Sequence, residues 1–447
     1  MLIYSSGTHG TVVLRQPTGR AAKDASDMRR TRTMRATRSG RRLAAVLLVI
    51  GVATAGAGDR AAGAEAPAPA MRDVLLVGNN WEGTADVIDV RTLRAVRRIN
   101  IIPDRAERMA EINSDPLRWA AYQFIKAQIG EGHDQFVDDM YSSNDGQVVY
   151  ASRPSFGDVA AIDLGTGGIR WRTRVDGLRS DHMAISPDGT RLAVSASTAN
   201  VVDVIDTATG TIVGTAASGD SPHENTYSRD GSKIFHASIG LVYTALDEPW
   251  LDWTKGNRVF EIIDARTLQV LRKVNMGQKL AEFGLKDSSS AVRPMALSPD
   301  ERFAYLQVSF LHGFVEYDLI QDKVTRVAQL PLSDEAKKLR RDQYLLDSAH
   351  HGIAMSGDGT KLCIAGTMSN YAAIVSRDSF KHRILPLGAS TYWSTTSADG
   401  KYCYVSVAGD DTLSVISYDT EAEVARIPVG DHPQRARTAK LAEWVLG

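Results

Sequence analysis

The chain has 447 residues, 43% hydrophobic and 23% charged, which is enough apolar content for a large buried core. Residues 1–64 hold eleven of the 52 Lys and Arg and three of the 53 Asp and Glu, which leaves 41 basic against 50 acidic residues in the rest. An acidic body of that kind excludes nucleic acid as the expected partner.

The first 64 residues read as a targeting segment. Residues 29–42 are basic, 43–56 are apolar, and Ala62-Gly63-Ala64 has the small-residue pattern of a cleavage site. The apolar run is too short for a confident membrane span, so the mature chain is expected to be secreted or extracytoplasmic, without a stable span after cleavage. Arg41-Arg42 faintly resembles a twin-arginine signal. Sec and twin-arginine export both stay open. Residues 65–71 form an Ala/Pro linker.

From residue 72 the sequence is repetitive. Segments 73–77, 85–89 and 95–101 read as strands, and an insertion at 103–132 follows, helical over 105–112 and 116–129. Between 180 and 218 four short strands of period two are separated by turns at Pro187-Asp188-Gly189, Thr198-Ala199-Asn200 and Asp206–Gly210. That is one up-and-down antiparallel sheet, and it needs copies of itself to bury both faces. The Asp-Gly turn recurs at Asp145-Gly146, Asp230-Gly231, Asp358-Gly359 and Asp399-Gly400, and as Asp300-Glu301. Third strands end alike, as in Ile88-Asp89, Ile162-Asp163, Ile205-Asp206 and Ile263-Asp264. Gly430-Asp431-His432-Pro433 copies Gly219-Asp220-Ser221-Pro222, so the C-terminal segment is expected to supply the inner strand of the first sheet. The resulting fold is all-β: a seven-bladed propeller over 72–447, closed by its two chain ends. Further insertions fall at 240–257, 277–291 and 333–348, the last helix-like. By blade topology all four insertions belong to one face of the disc, as a wall or lid over one channel mouth. Cys363 and Cys403 fall on second strands of neighbouring blades in a register too ambiguous to assign a bridge; buried small hydrophobes are the expected reading, and pairing stays open.

Aligned on the turns, the inner strands begin with Asp138, Asp181, His223, Arg293, His351, Tyr392 and Gln434. One residue later stand Asp139, His182, Glu224, Pro294, Gly352, Trp393 and Arg435. Inner-strand starts are where blades distant in sequence bring side chains together. His133, His182, His223, His350, His351 and His432 all lie at or just before them, and imidazole is the usual transition-metal ligand. These six are the candidate metal ligands, for copper, zinc or iron. Glu224, Asp181, Arg293 and Tyr392 are the catalytic candidates, and Trp393, Arg435 and the insertion residue Trp253 the substrate-binding ones. The same set suits metal-free acid–base chemistry on a small organic molecule, with Arg293 holding a carboxylate and a histidine or Glu224 moving the proton. No CxxCH is present, so covalent haem is not expected, and no P-loop or dinucleotide fingerprint points to a nucleotide cofactor.

The turn Ser186-Pro187-Asp188-Gly189, the strand Leu192-Ala193-Val194 and the ending Val204-Ile205-Asp206-Thr207 resemble the YVTN-type seven-bladed propeller repeats, over roughly residues 72–441. The histidine layout is similar to that of propellers such as the nitrous oxide reductase catalytic domain, with His350-His351 resembling its paired histidines. Propeller lactonases are similar in having His and Arg at inner-strand starts. The resemblance implies a metal-dependent oxidoreductase, a metal-free lactonase- or lyase-like enzyme, or a non-catalytic cell-envelope binding propeller.

Overall fold

The computed structural model describes residues 70–244 and 249–446; the targeting segment and nearly all of the linker lie outside them. Seven four-stranded antiparallel sheets follow one another along the chain. Six are continuous in sequence. The seventh takes three strands from the N-terminus and its inner strand, Pro433–Ala442, from the C-terminus, paired antiparallel with Met71–Asn79. The first strands of neighbouring blades pack on one another around a central channel. The molecule is a seven-bladed β-propeller.

The repeated turn explains the repeated sheet. In blade three Gly189 N donates to Ser186 O at 2.8 Å, and Ser186 Oγ donates to Asp188 Oδ1 at 2.6 Å. The same pair of bonds recurs at Ser228, Ser298, Ser356 and Ser397. The fourth turn residue is left-handed, which is why glycine recurs there; Glu301 adopts the same region at φ 53° in blade five. At the third-strand ending Asp206 Oδ1 accepts from Ala208 N and Thr209 N, an Asx turn that fixes the last hairpin of the blade.

One irregularity bears on function. The register between first and second strands shifts at Ser180/Met183, Pro222/Glu224, Val292/Met295 and Thr391/Ser394. Each is a bulge at the start of an inner strand. A bulge breaks strict alternation and re-aims side chains, so two successive residues can both reach the axis there.

The first insertion forms helix α1, Arg105–Ser114, and helix α2, Pro116–Phe124, which runs on into a π-helical turn, Ile125–Ile129. Asp115 caps α2 by accepting from Leu117 N at 2.9 Å. The second insertion closes with a 3-10 turn, Pro249–Lys255. The third carries helix α3, Met276–Phe283, whose Met276 and Leu280 bury against Phe260, Val315 and Tyr317. Its Lys279 reaches Asp322 at 2.9 Å, so α3 clasps blade five. The fourth was expected to be helix-like and is instead three 3-10 turns, Ala336–Lys338, Arg341–Gln343 and Leu345–Asp347. It has no apolar stripe at helical spacing to hold one long helix against the disc.

Cys363 and Cys403 form a disulfide between the second strands of blades six and seven. This corrects the expectation of two unpaired thiols. Spacing placed the cysteines on the second strands of neighbouring blades, but the facing register that brings their Cα atoms to 6.4 Å is a property of blade packing alone. The bond closes a loop of 40 residues of separation. Replacing both cysteines with serine should lower unfolding free energy in urea by about 2–4 kcal/mol. An unchanged midpoint would show that the crosslink adds nothing to the packed interface.

Candidate functional site

The inner-strand starts converge as the alignment predicts. Asp138, Asp181, His223, Arg293, Tyr392 and Gln434, together with His182, line a cavity of about 280 Å³ at the insertion-bearing mouth of the channel. The first, second and fourth insertions wall it, through Phe124, Ile125 and Ile129, through Leu241 to Tyr243, and through Leu346. The third insertion does not reach it.

Three histidines from three blades meet beside it; His182 and His223 line the cavity and His351 does not. His182 and His223 have ring centroids 3.7 Å apart, and His351 lies 5.9 and 5.7 Å from them. Each offers a ring nitrogen within 4.8 Å of the others. The bulges allow this: His182 and Asp181 are successive residues, yet both reach the axis. His351 precedes its blade's inner strand, Ile353–Met355, and stacks on Tyr392 at 4.2 Å. Gly352 follows because blade seven comes too close for a side chain; a Cβ there would stand 2.3 Å from Ser394 N. A second group, Asp138, Asp181 and His182, also places possible ligand atoms together.

Burial sets the electrostatics. It holds the His182, His223 and His351 imidazoles well below their ordinary range, with the Arg435 charge adding to the effect on His182 and His351 and Arg293 to that on His223, so all three are neutral. Burial likewise pushes Glu224 up to about 7 and raises Asp138, against the pull of Arg435. Nδ1 of His223 and of His351 has no hydrogen-bond partner among the described residues, and neither does Oδ2 of Asp138. Buried polar atoms of this kind can accept or donate to a ligand or a water.

Glu224 does not line the cavity. Its Oε2 stands 2.6 Å from His182 Nδ1, behind the ring. That contact fixes the ring's orientation and leaves Nε2 for the cluster. Beneath the cluster the channel is plugged. Arg435 lies 3.9 Å over the Trp393 ring, and Arg437 lies 4.9 Å from it while donating twice to Asp139, at 2.8 and 2.7 Å. Trp393, Arg437 and Glu224 then line a cavity of about 340 Å³ on the opposite face. Trp393 and Arg435 are thus the floor of the site.

Several candidates stand elsewhere. His350 points away from His351, as successive residues of an extended chain do; its Nε2 meets Tyr371 Oη at 3.0 Å and its ring packs on His312. His133 and His432 sandwich Trp81, at 3.7 and 3.8 Å and nearly parallel. Neither pair joins the triad. Trp253 is 79% exposed and lies outside the cavity. Two participants went unread in the sequence. Arg179 lines the cavity and donates to Asp181 at 2.6 Å, and Arg437 supports the floor. Each stands two residues from a residue the alignment did select, so strand parity carries the signal that would have found them.

No protein-family model and no curated protein matches the chain. Among solved structures, hydrazine synthase from Kuenenia stuttgartiensis is similar, with a TM-score of 0.55 and 18% identity over 77% of this chain and 92% of that one. At that identity the likeness is one of fold.

Proposed function

We propose that this protein is an exported enzyme in which His182, His223 and His351 hold one transition-metal ion (copper, zinc or iron) against a small organic substrate in the insertion-walled cavity. The His182–His223–His351 cluster carries the reading. Imidazole nitrogens bound to one ion at about 2.1 Å stand roughly 3.3–4.2 Å apart, so nitrogens already within 4.8 Å need move less than an ångström. The ligands are neutral and desolvated, and one has a carboxylate behind it. The donor set suits oxidoreductase or Lewis-acid chemistry, which the ion supplies when bound. The chain's own residues do the rest: Glu224 orients His182, Asp138 and Asp181 present carboxylates beside the cluster, and the insertions keep water from it. Export is supported by the disulfide, since such bonds persist in oxidising compartments, together with the N-terminal sequence.

A metal-free acid–base enzyme is the second reading, favoured by the hydrogen-bonded His182–Glu224 pair next to Arg293. Metal analysis separates them. Wild type loaded with each ion and dialysed is expected to retain one equivalent. His182→Ala, His223→Ala and His351→Ala should each weaken affinity at least ten- to a hundredfold, and Glu224→Gln about tenfold. The exposed His382 replaced by Ala should change nothing. No retained metal in wild type, with activity still lost in the three variants, would hand the site to the acid–base reading.

A further inference from the structure

Arg293 is 1% exposed and lies in the cavity wall. Its Nε donates to Ser309 Oγ at 3.0 Å and its Nη2 to the carbonyl of Leu346. Both acceptors are neutral. The other buried cations nearby have carboxylates: Arg179 has Asp181 at 2.6 Å, Lys255 has Asp347 at 3.0 Å, and Arg435 has Asp138 at 3.6 Å. Among the described residues Arg293 alone of these four has no ion-pair partner. The charges of Asp347 and Asp181 act on Arg293 from a distance, but neither carboxylate pairs with it. A buried guanidinium with no carboxylate in contact is costly, and its planar fork matches one. Part of the cavity lining is apolar. Phe124, Ile125 and Ile129 face it from the first insertion, and Leu241, Val242 and Tyr243 from the second. The edge-to-face contact of Phe124 with Tyr243, 4.9 Å between centroids, joins the two insertions into one wall.

From these features we infer that the ligand is a small amphipathic carboxylate. Its head group pairs with Arg293, and its body, one ring or a short branched chain, lies on the apolar wall. The inference rests on the proposed metal site only for which end of the ligand reacts. Isothermal titration of the metal-loaded mature protein tests it, with phenylacetate, its neutral counterpart phenylacetamide, and acetate. Phenylacetate should bind at least tenfold more tightly than either. Arg293→Gln should remove its advantage over phenylacetamide. Val242→Asp, in a loop outside the blades, should weaken phenylacetate tenfold or more through lost apolar area and charge repulsion, and it serves if the Arg293 variant fails to fold. Phenylacetamide binding as tightly as phenylacetate overturns the inference, as does acetate binding as tightly, or no phenylacetate binding at millimolar concentration. Repeating the titrations on metal-free protein separates the two readings. A preference for phenylacetate in a protein that holds no metal keeps the carboxylate site and removes the metal. One equivalent of metal without that preference does the reverse.

Discussion

A chain ending at Gly430 is expected not to fold. The lost segment contains Pro433–Ala442, the inner strand of blade one, which pairs with Met71–Asn79 from Met71↔Ala442 to Asn79↔Pro433. Without it the buried stretch Val74–Val77 becomes an open strand edge, with its backbone groups unpaired and its apolar side chains exposed. Ala436, Leu441, Ala442, Val445 and Leu446, all buried, are removed from the interfaces on either side. Arg437 goes too, leaving the fully buried Asp139 without its partner, and breaking such a pair costs about 3–5 kcal/mol. Whole domains are stable by only about 5–15 kcal/mol. Size-exclusion chromatography and circular dichroism should show aggregate or no soluble protein. A monomeric truncation that melts cooperatively would mean the ring closes without this strand.

The blades were legible because each is a local object. The Ser-x-Asp-Gly turn and the Ile-Asp ending are short-range bonds repeated at near-constant spacing, as the recurring Ser186–Asp188 and Asp206–Thr209 geometry shows. The ring was legible for a related reason: inner-strand starts can be aligned on those turns without knowing how blades pack. What could not be read depends on rotation about the strand and on contacts between blades. His350 and His351 look alike in sequence, but only one can face the axis. His133 and His432 lie near inner-strand starts, and Trp81 captures both. The Cys363–Cys403 register and the bidentate Arg437–Asp139 pair join segments distant in sequence. Neither has a local signature.

Acid should destabilise the metal-free protein below pH 6.5. Burial lowers His236 and His350 to about 3, and His312 and His432 to about 4, from an ordinary 6.5; His182, His223 and His351 are lowered too. Above pH 6.5 these rings are neutral folded or unfolded, and they add no pH dependence. Below it the unfolded chain takes up protons that the folded chain refuses, so stability falls with pH until the folded values are reached. Each such histidine contributes about 1.4 kcal/mol per pH unit at full effect. Glu224 and Asp138 work the other way. Their raised folded values favour the native state as pH falls from 7 towards the ordinary carboxylate range, and burial raises Glu131, Asp203, Glu261 and Asp431 in the same direction, which offsets part of the histidine effect. Seven lowered histidines stand against two carboxylates raised to about 7, so on balance stability falls as pH drops below 6.5. Thermal melts in chelator should therefore show a melting temperature that falls between pH 6.5 and 5. His236 makes the internal control. It is held by Asn225 and Ser218, apart from the triad, and His236→Gln can keep those hydrogen bonds without titrating. That variant should show a shallower fall than wild type. A melting temperature that stays flat from pH 7 to 5 would mean these rings are protonated in the folded protein, and with them the ligands of the proposed metal site.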